Sequence, residues 1–206
     1  MTASSLTNDA GFPLAVAPPC GPTPDEVAEA VLIHAAQGGC GDAFRQLVER
    51  HQQRVYHFCF HYLRDASDAR EACQDTFIRA HRALGGFRPK AKFSTWLFQI
   101  ALNLCRDRVR AGRNRLTGSW DKGALELPCK RPTPEEVAMR HSDLAKLDRG
   151  LGALPEKFRE VLVLSCLEGF SHTECAAILK CSERAVEGRL YRARERLAAW
   201  WDREAA

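Results

Sequence analysis

From residue 24 onward, apolar side chains recur at three- and four-residue intervals, the spacing of helices buried along one side. Thr23-Pro24-Asp25-Glu26 predicts the first start: a Thr cap, Pro at the first helical position, then acids at the positive end of the helix dipole. That helix carries Val27, Val31 and Ala35 on one stripe and stops at Gly38-Gly39. A second follows from Asp42, with Phe44, Leu47, Val48, Val55, Phe58, Cys59, Tyr62 and Leu63 at helical spacing. The pattern breaks over Arg64 to Asp68, where Ser67 or Asp68 is expected to cap a third helix. This one runs through Ala72, Phe77, Ile78, Ala80 and Leu84 to Gly85-Gly86. After a short basic loop, Ser94 or Thr95 is expected to open a fourth, with Trp96, Leu97, Ile100, Ala101 and Leu104, ending in the arginine-rich run Arg106 to Arg115.

Residues 112–134 hold three Gly, three Pro and both signs of charge without a sustained apolar period, which reads as a linker. Residues 1–22, rich in Pro, Ala, Ser and Thr, read as a flexible leader. A second helical block starts near Pro134-Glu135-Glu136 and continues to about Trp201. Within it, Leu154-Pro155-Glu156-Lys157 begins a helix with Phe158, Val161, Leu162 and Leu164 as apolar positions, and Glu168-Gly169-Phe170 makes a turn. Ser171-His172-Thr173-Glu174 has the form of a capping box, in which the Ser and Glu side chains each satisfy an orphan backbone N–H. Ala176, Ile178 and Leu179 supply the buried side of the short helix it opens. Lys180-Cys181-Ser182 is a tight turn, and Ser182 caps a last helix from about Glu183 to Trp200. Its buried stripe is Ala185 or Val186, Leu190, Ala193 and Leu197. A short capped helix, a three-residue turn and a longer helix make a helix-turn-helix pattern. Strand-like alternation of useful length and 20–50-residue repeats are both missing from the sequence. The fold class expected is all-α, two small helical domains joined by a flexible linker.

The 206 residues are 45% hydrophobic and 27% charged, the balance of a soluble globular chain rather than a disordered one. The sequence has no apolar run approaching the roughly 20 residues of a bilayer span, so no membrane insertion is expected. The first residues lack the basic start and continuous apolar stretch of an export signal. Nine cysteines, an odd number, then argue for reduced, mostly buried thiols in a cytoplasmic protein. The net charge of +4 is informative only once the charges are located.

The last helix displays Arg184, Arg189, Arg192, Arg194 and Arg196 against Glu183, Glu187 and Glu195, a local excess of two positive charges. Guanidinium groups pair bidentately with phosphates and guanine edges; a solvated helix with Glu–Arg pairs has the same composition. In the first block, Glu71, Gln74 and Asp75 share one exposed face, which is either an ordinary solvated face or a docking surface. The loop Phe87-Arg88-Pro89-Lys90-Ala91-Lys92-Phe93-Ser94-Thr95-Trp96 interleaves cations with aromatics, and Asn103, Arg106, Arg108 and Arg110 follow. Such a mixture suits a splayed single strand, whose bases stack while its phosphates pair with cations. The plainer reading puts Phe93 and Trp96 in the core, which for Trp96 is favoured.

The sequence contains no Gly-rich phosphate loop, nucleophile elbow or His-Glu-x-x-His zinc motif, so neither catalysis nor a cofactor is expected. His172, Cys175 and Cys181, with Cys166 nearby, and the group His57, Cys59 and His61 raise the idea of a metal or redox site. Neither has C-x-x-C spacing, and Cys166 and Cys175 also suit helix-core positions, so no metal site is expected.

The order of these pieces resembles a sigma factor of the extracytoplasmic-function (ECF) type, the two-domain minimal form of the sigma-70 family. The resemblance rests on Asp68-Ala69, Gln74, Phe77, Phe93-x-Thr95-Trp96-Leu97, Ile100-Ala101-x-Asn103, Asp107 and Arg110 in the first block. In the second it rests on Leu154-Pro155, Arg159, Leu164, Glu174-x-Ala176, Leu179, Ser182, Val186, Arg189 and Arg192-Ala193-Arg194. It implies a sigma-2-like bundle over 23–112, a linker over 113–134 and a sigma-4-like helix-turn-helix domain over 135–203.

The resemblance also implies roles. Asp68, Glu71, Gln74 and Asp75 would dock on the β′ clamp of core RNA polymerase, and the second domain on the β flap. The loop from Gly85 to Ser94, with Arg88, Lys90, Lys92, Phe93, Trp96 and Asn103, would capture a base flipped from the −10 element, while Arg106, Arg108 and Arg110 hold phosphates. Ser182, Arg184, Glu187, Gly188, Arg189 and Arg192 would face the −35 major groove. An anti-sigma factor is the implied regulator. Arg70 stands where the family usually has an acid, Lys180 where a turn Gly is common, and Ala185, Glu187 and Gly188 where Thr, Lys and Ser are usual. The alternatives are a helix-turn-helix regulator that needs no polymerase, which leaves the aromatic-basic loop unexplained, and a helical enzyme, supported only by scattered His and Glu.

Overall fold

The computed structural model describes residues 24–88, 91–113 and 146–205, all within or between helices. The leader, the Thr23 cap, Lys90, the linker and the start of the second block lie outside the described residues. The chain divides into two compact units between Leu47 and Val48.

In the first unit, helix α1 (Pro24–Gln37) ends where Gly39 takes φ 92°, which lets Cys40 N–H donate back to the Ala35 carbonyl at 3.1 Å. The expected stripe of α1 is not a buried one: Val27 and Val31 are exposed. Helix α2 (Gly41–Leu63) begins here, with Ala43 and Leu47 buried.

The second unit holds the rest of α2 and helices α3 (Ala66–Ala83), α4 (Phe93–Arg113), α5 (146–153), α6 (Glu156–Leu162), α7 (His172–Leu179) and α8 (Glu183–Ala205). A first lobe is formed by α2 from Val48 onward, α3 and α4, where Phe58, Cys59, Ala72, Leu97, Phe98 and Cys105 are buried. Helices α5 to α8 form a second lobe, where Phe158, Val161, Cys175, Ile178, Val186 and Leu190 are buried.

Several boundaries differ from expectation, each for a local reason. Arg64 has φ 62°, which ends α2, and the extended Asp65 that follows caps α3 by accepting from Asp68 N–H at 2.8 Å. Ser67 and Asp68 are thus already helical. At α4, Trp96 N–H donates to the Lys92 carbonyl, so Ser94 and Thr95 lie inside the first turn rather than at the cap. After α6 the chain widens into one π-helical turn, Val163–Leu167, with Glu168 N–H donating to the Val163 carbonyl five residues back. Helix α8 runs past Trp200 to Ala205. Cys59, Cys73, Cys105 and Cys175 are buried, whereas Cys166, expected in the core, is exposed on the π turn.

Candidate nucleic-acid interface

The helix-turn-helix is built as its residues dictate. Ser171 Oγ accepts from Glu174 N–H at 3.2 Å, and the Glu174 carboxylate accepts from Ser171 N–H at 2.9 Å, completing the capping box. Lys180 closes α7 in the left-handed region, φ 53° and ψ 50°, with Cys181 N–H donating to the Ala176 carbonyl. Ser182 Oγ then accepts from Ala185 N–H at 3.2 Å and opens α8. Val186, Leu190 and Ala193 anchor the inner face of α8, and Arg184, Glu187 and Arg192 lie exposed, with Gly188 and Arg189 partly so. A Cβ placed on Gly188 would meet nothing nearer than Arg192 Nη2 at 3.8 Å, so this outer face is open.

In the loop before α4 the aromatic rings point inward. Phe87 and Phe93 are buried and meet edge to face at 5.7 Å, while Trp96, half-buried, sits 5.0 Å from Phe87 and 5.6 Å from Phe93. The cations stay outside: Arg88 is exposed, and Lys92 is exposed with its ammonium 3.5 Å from Glu174 on α7. Asn103 and Arg110 are exposed on α4, Arg110 pairing with Asp107 one turn earlier.

Arg108 turns toward α3 instead of outward. Its guanidinium donates to Glu71 at 3.0 Å and Asp75 at 2.8 Å, with Asp68 at 3.7 Å. The acidic residues of α3 therefore form one surface with a cation at its centre, and Gln74 lies exposed beside them.

Sequence reading missed the seam between the lobes. Arg106 donates to both carboxylate oxygens of Glu160, at 2.7 and 2.8 Å, and Tyr62 Oη lies 3.0 Å from the same carboxylate and 2.6 Å from Glu156. Burial first, and then these two carboxylates, push the Tyr62 phenol up, keeping it a donor. Hydrogen bonding to Glu160 outweighs partial burial and holds the Arg106 guanidinium more firmly charged than usual. Removing one partner from a buried pair of this kind costs roughly 3–5 kcal/mol. Nearby, Arg54 donates to the Glu168 carbonyl at 2.6 Å and lies 5.3 Å from the Phe170 ring centre, while Phe98 meets Phe170 edge-on at 4.8 Å. Burial raises the Glu168 carboxyl, Arg54 drawing it part of the way back. Arg64 reaches the Asp148 carbonyl, and Arg159 donates to the carbonyls of Tyr62, Leu151, Gly152 and Leu154. The available signal was Glu160 itself, a carboxylate immediately before the apolar run Val161 to Leu164 and two residues after Phe158.

Among the described residues no group of three or more His, Cys, Asp or Glu is placed to hold a metal ion, and no helix is long and apolar enough to cross a membrane.

With this geometry in place, the class is defined by two family matches: Sigma-70 region 2 over residues 47–115 and Sigma-70, region 4 over residues 144–197. The RNA polymerase sigma factor CnrH of Cupriavidus metallidurans is 39% identical over 183 residues, covering 86% of this chain and 96% of its own. The ECF RNA polymerase sigma-E factor of Escherichia coli is 33% identical over 179 residues, covering 83% and 93%. A solved structure of CnrH in complex with the cytosolic domain of CnrY aligns with a TM-score of 0.66 at 34% identity, over 85% of this chain and 97% of that one. The chain belongs to the sigma-70 family, among the extracytoplasmic-function sigma factors.

Proposed function

We propose that this chain directs core RNA polymerase to promoters by recognition alone, without catalysing a reaction, in the cytoplasm. The reading assigns residues 23–112 to core docking and −10 recognition, 113–134 to the connection, and 135–203 to −35 recognition. Asp68, Glu71, Gln74 and Asp75 form the face for the β′ clamp, and the second lobe meets the β flap. Arg88, Lys90, Lys92, Phe93, Trp96, Asn103, Arg106 and Arg110 serve the −10 element, and Ser182, Arg184, Glu187, Gly188, Arg189 and Arg192 the −35 groove. Flipping a base costs a few kcal/mol, which a shaped pocket and phosphate contacts must offset. An anti-sigma protein is the expected antagonist, a reading supported by the CnrH complex with CnrY.

The observation that carries this reading is the capped helix-turn-helix with an open arginine face on α8, on the same chain as the acidic face of α3. A net charge of +4 gives the free chain little general hold on DNA. Fixing both lobes on one machine supplies the missing affinity as effective concentration. Run-off transcription on a promoter library, with and without purified core enzyme, is the test. Transcripts and promoter selectivity are expected only with core; selective duplex binding by the chain alone would transfer the reading to a polymerase-independent regulator.

A further inference from the structure

Residues around α8 differ in what they can reach. Its buried stripe of Val186, Leu190 and Ala193 turns inward, which aims Arg184, Gly188 and Tyr191 outward and leaves Glu187 on the flank toward α7. A merely solvated face of this composition would close its charges into pairs three or four residues apart. This one does not. Among the described residues Arg184, Arg189 and Arg192 have no carboxylate partner, and Glu195 is engaged by the Tyr191 hydroxyl. Glu187 meets only His172 at the start of α7, whose Nδ1 lies 3.7 Å from Glu187 Oε1, and its side chain stays 61% exposed. Beside it stands Gly188, in the second turn of a 23-residue helix, where glycine disfavours helix relative to alanine. Packing supplies no reason for it, because an added Cβ would find open space out to 3.8 Å. Close approach by something outside the chain does.

On a helix that reads a major groove, the N-terminal turns meet base edges. A carboxylate in that position is repelled by phosphates and is useful only over a hydrogen-bond donor. Guanine and thymine offer acceptors there, adenine sets an acceptor beside its amino group, and cytosine offers its N4 amino group alone. We infer that Glu187 selects a cytosine in the −35 element by accepting from that amino group. Gly188 admits the helix to the depth required, and His172 is a positioning residue that keeps the carboxylate on the flank it needs. The inference rests on the reading of α8 as the −35 helix and adds the base chosen under its second turn. Glu187 also acts by exclusion. The neighbouring arginines favour guanine edges, and the carboxylate opposes the two acceptors of guanine at this one position.

The test uses the full chain with purified core polymerase and templates randomised over the −35 element, each identified by a sequence tag in its transcript. The wild-type chain is expected to favour cytosine at one position, on the order of tenfold over the other bases. On the strand that carries that cytosine, Glu187→Gln should move the preference to adenine and Glu187→Lys to guanine, with the other positions unchanged. His172→Ala should weaken the cytosine preference in the wild-type background and change nothing further when added to Glu187→Gln. Gly188→Ala should lower use of the favoured templates without lowering the melting temperature. Glu187 variants that keep the wild-type preference, or that weaken every position alike, overturn the base assignment and leave promoter recognition standing. Transcripts from no template at all with the wild-type chain would overturn the function itself, and this readout with it.

Discussion

At Lys180 the backbone makes a demand that the side chain does not meet. A left-handed residue with a Cβ costs about 1 kcal/mol, which glycine avoids. Lys180→Gly is therefore expected to raise the melting temperature by about 2–4 °C, read by circular dichroism. Substitution of the neighbouring Ser182 by Ala should lower it through loss of the α8 cap. The turn was legible in sequence as a non-glycine in a turn position. The Asp65 cap was not, because Ser67 and Asp68 are also good capping residues and only the left-handed Arg64 decides between them. Thiol chemistry divides by burial at this same scale. Burial pushes the Cys73 and Cys175 thiols up to about 12, while Cys40 and Cys166 are exposed. Iodoacetamide at pH 8, followed by mass spectrometry, should mark Cys40 and Cys166 well before the four buried thiols.

Helix α7 is short, and its ends account for much of its stability. Burial disfavours the Glu174 carboxylate, but the Ser171 backbone and hydroxyl, with Lys92, outweigh that and hold its carboxyl below the ordinary range. A depressed carboxyl contributes stability that is fully present above the unfolded value of about 4.3 and fades as pH falls through the lower folded value. The stability of Glu174→Gln toward urea should therefore lie below wild type at pH 7, by roughly 0.3–1 kcal/mol of helix-terminus charge and Lys92 pairing, since Gln still closes the capping box. The two midpoints should converge toward pH 3. This element was readable because a capping box is local in sequence. The π turn was not, since the same apolar residues suit an uninterrupted helix, and Arg54, which donates to the Glu168 carbonyl at its end, is distant in sequence.

For the whole molecule, the division of labour among the arginines of α4 was the hardest part to foresee. Arg106, Arg108 and Arg110 look alike in sequence, but one meets the second lobe, one meets α3, and one stays at the surface. Helical periodicity separates their directions without naming what stands opposite, because the partners lie tens of residues away. Arg108 holds Glu71 and Asp75 together, so Arg108→Gln should weaken core polymerase binding roughly three- to tenfold, the reach of one or two surface pairs. Its salt slope on single-stranded DNA should stay unchanged. A shallower slope with undiminished core affinity would instead place Arg108 on a phosphate.

Arg64 carries a different kind of conflict. Its backbone, at φ 62°, suits glycine, while its guanidinium is anchored on α5. A glycine there would relax the bend after α2 and in the same stroke cut a tether between lobes, two effects of opposite sign. Heat resistance and lobe cohesion are thus uncoupled at this position. A substitution chosen here for tolerance to warming would leave α2 and α5 less firmly joined.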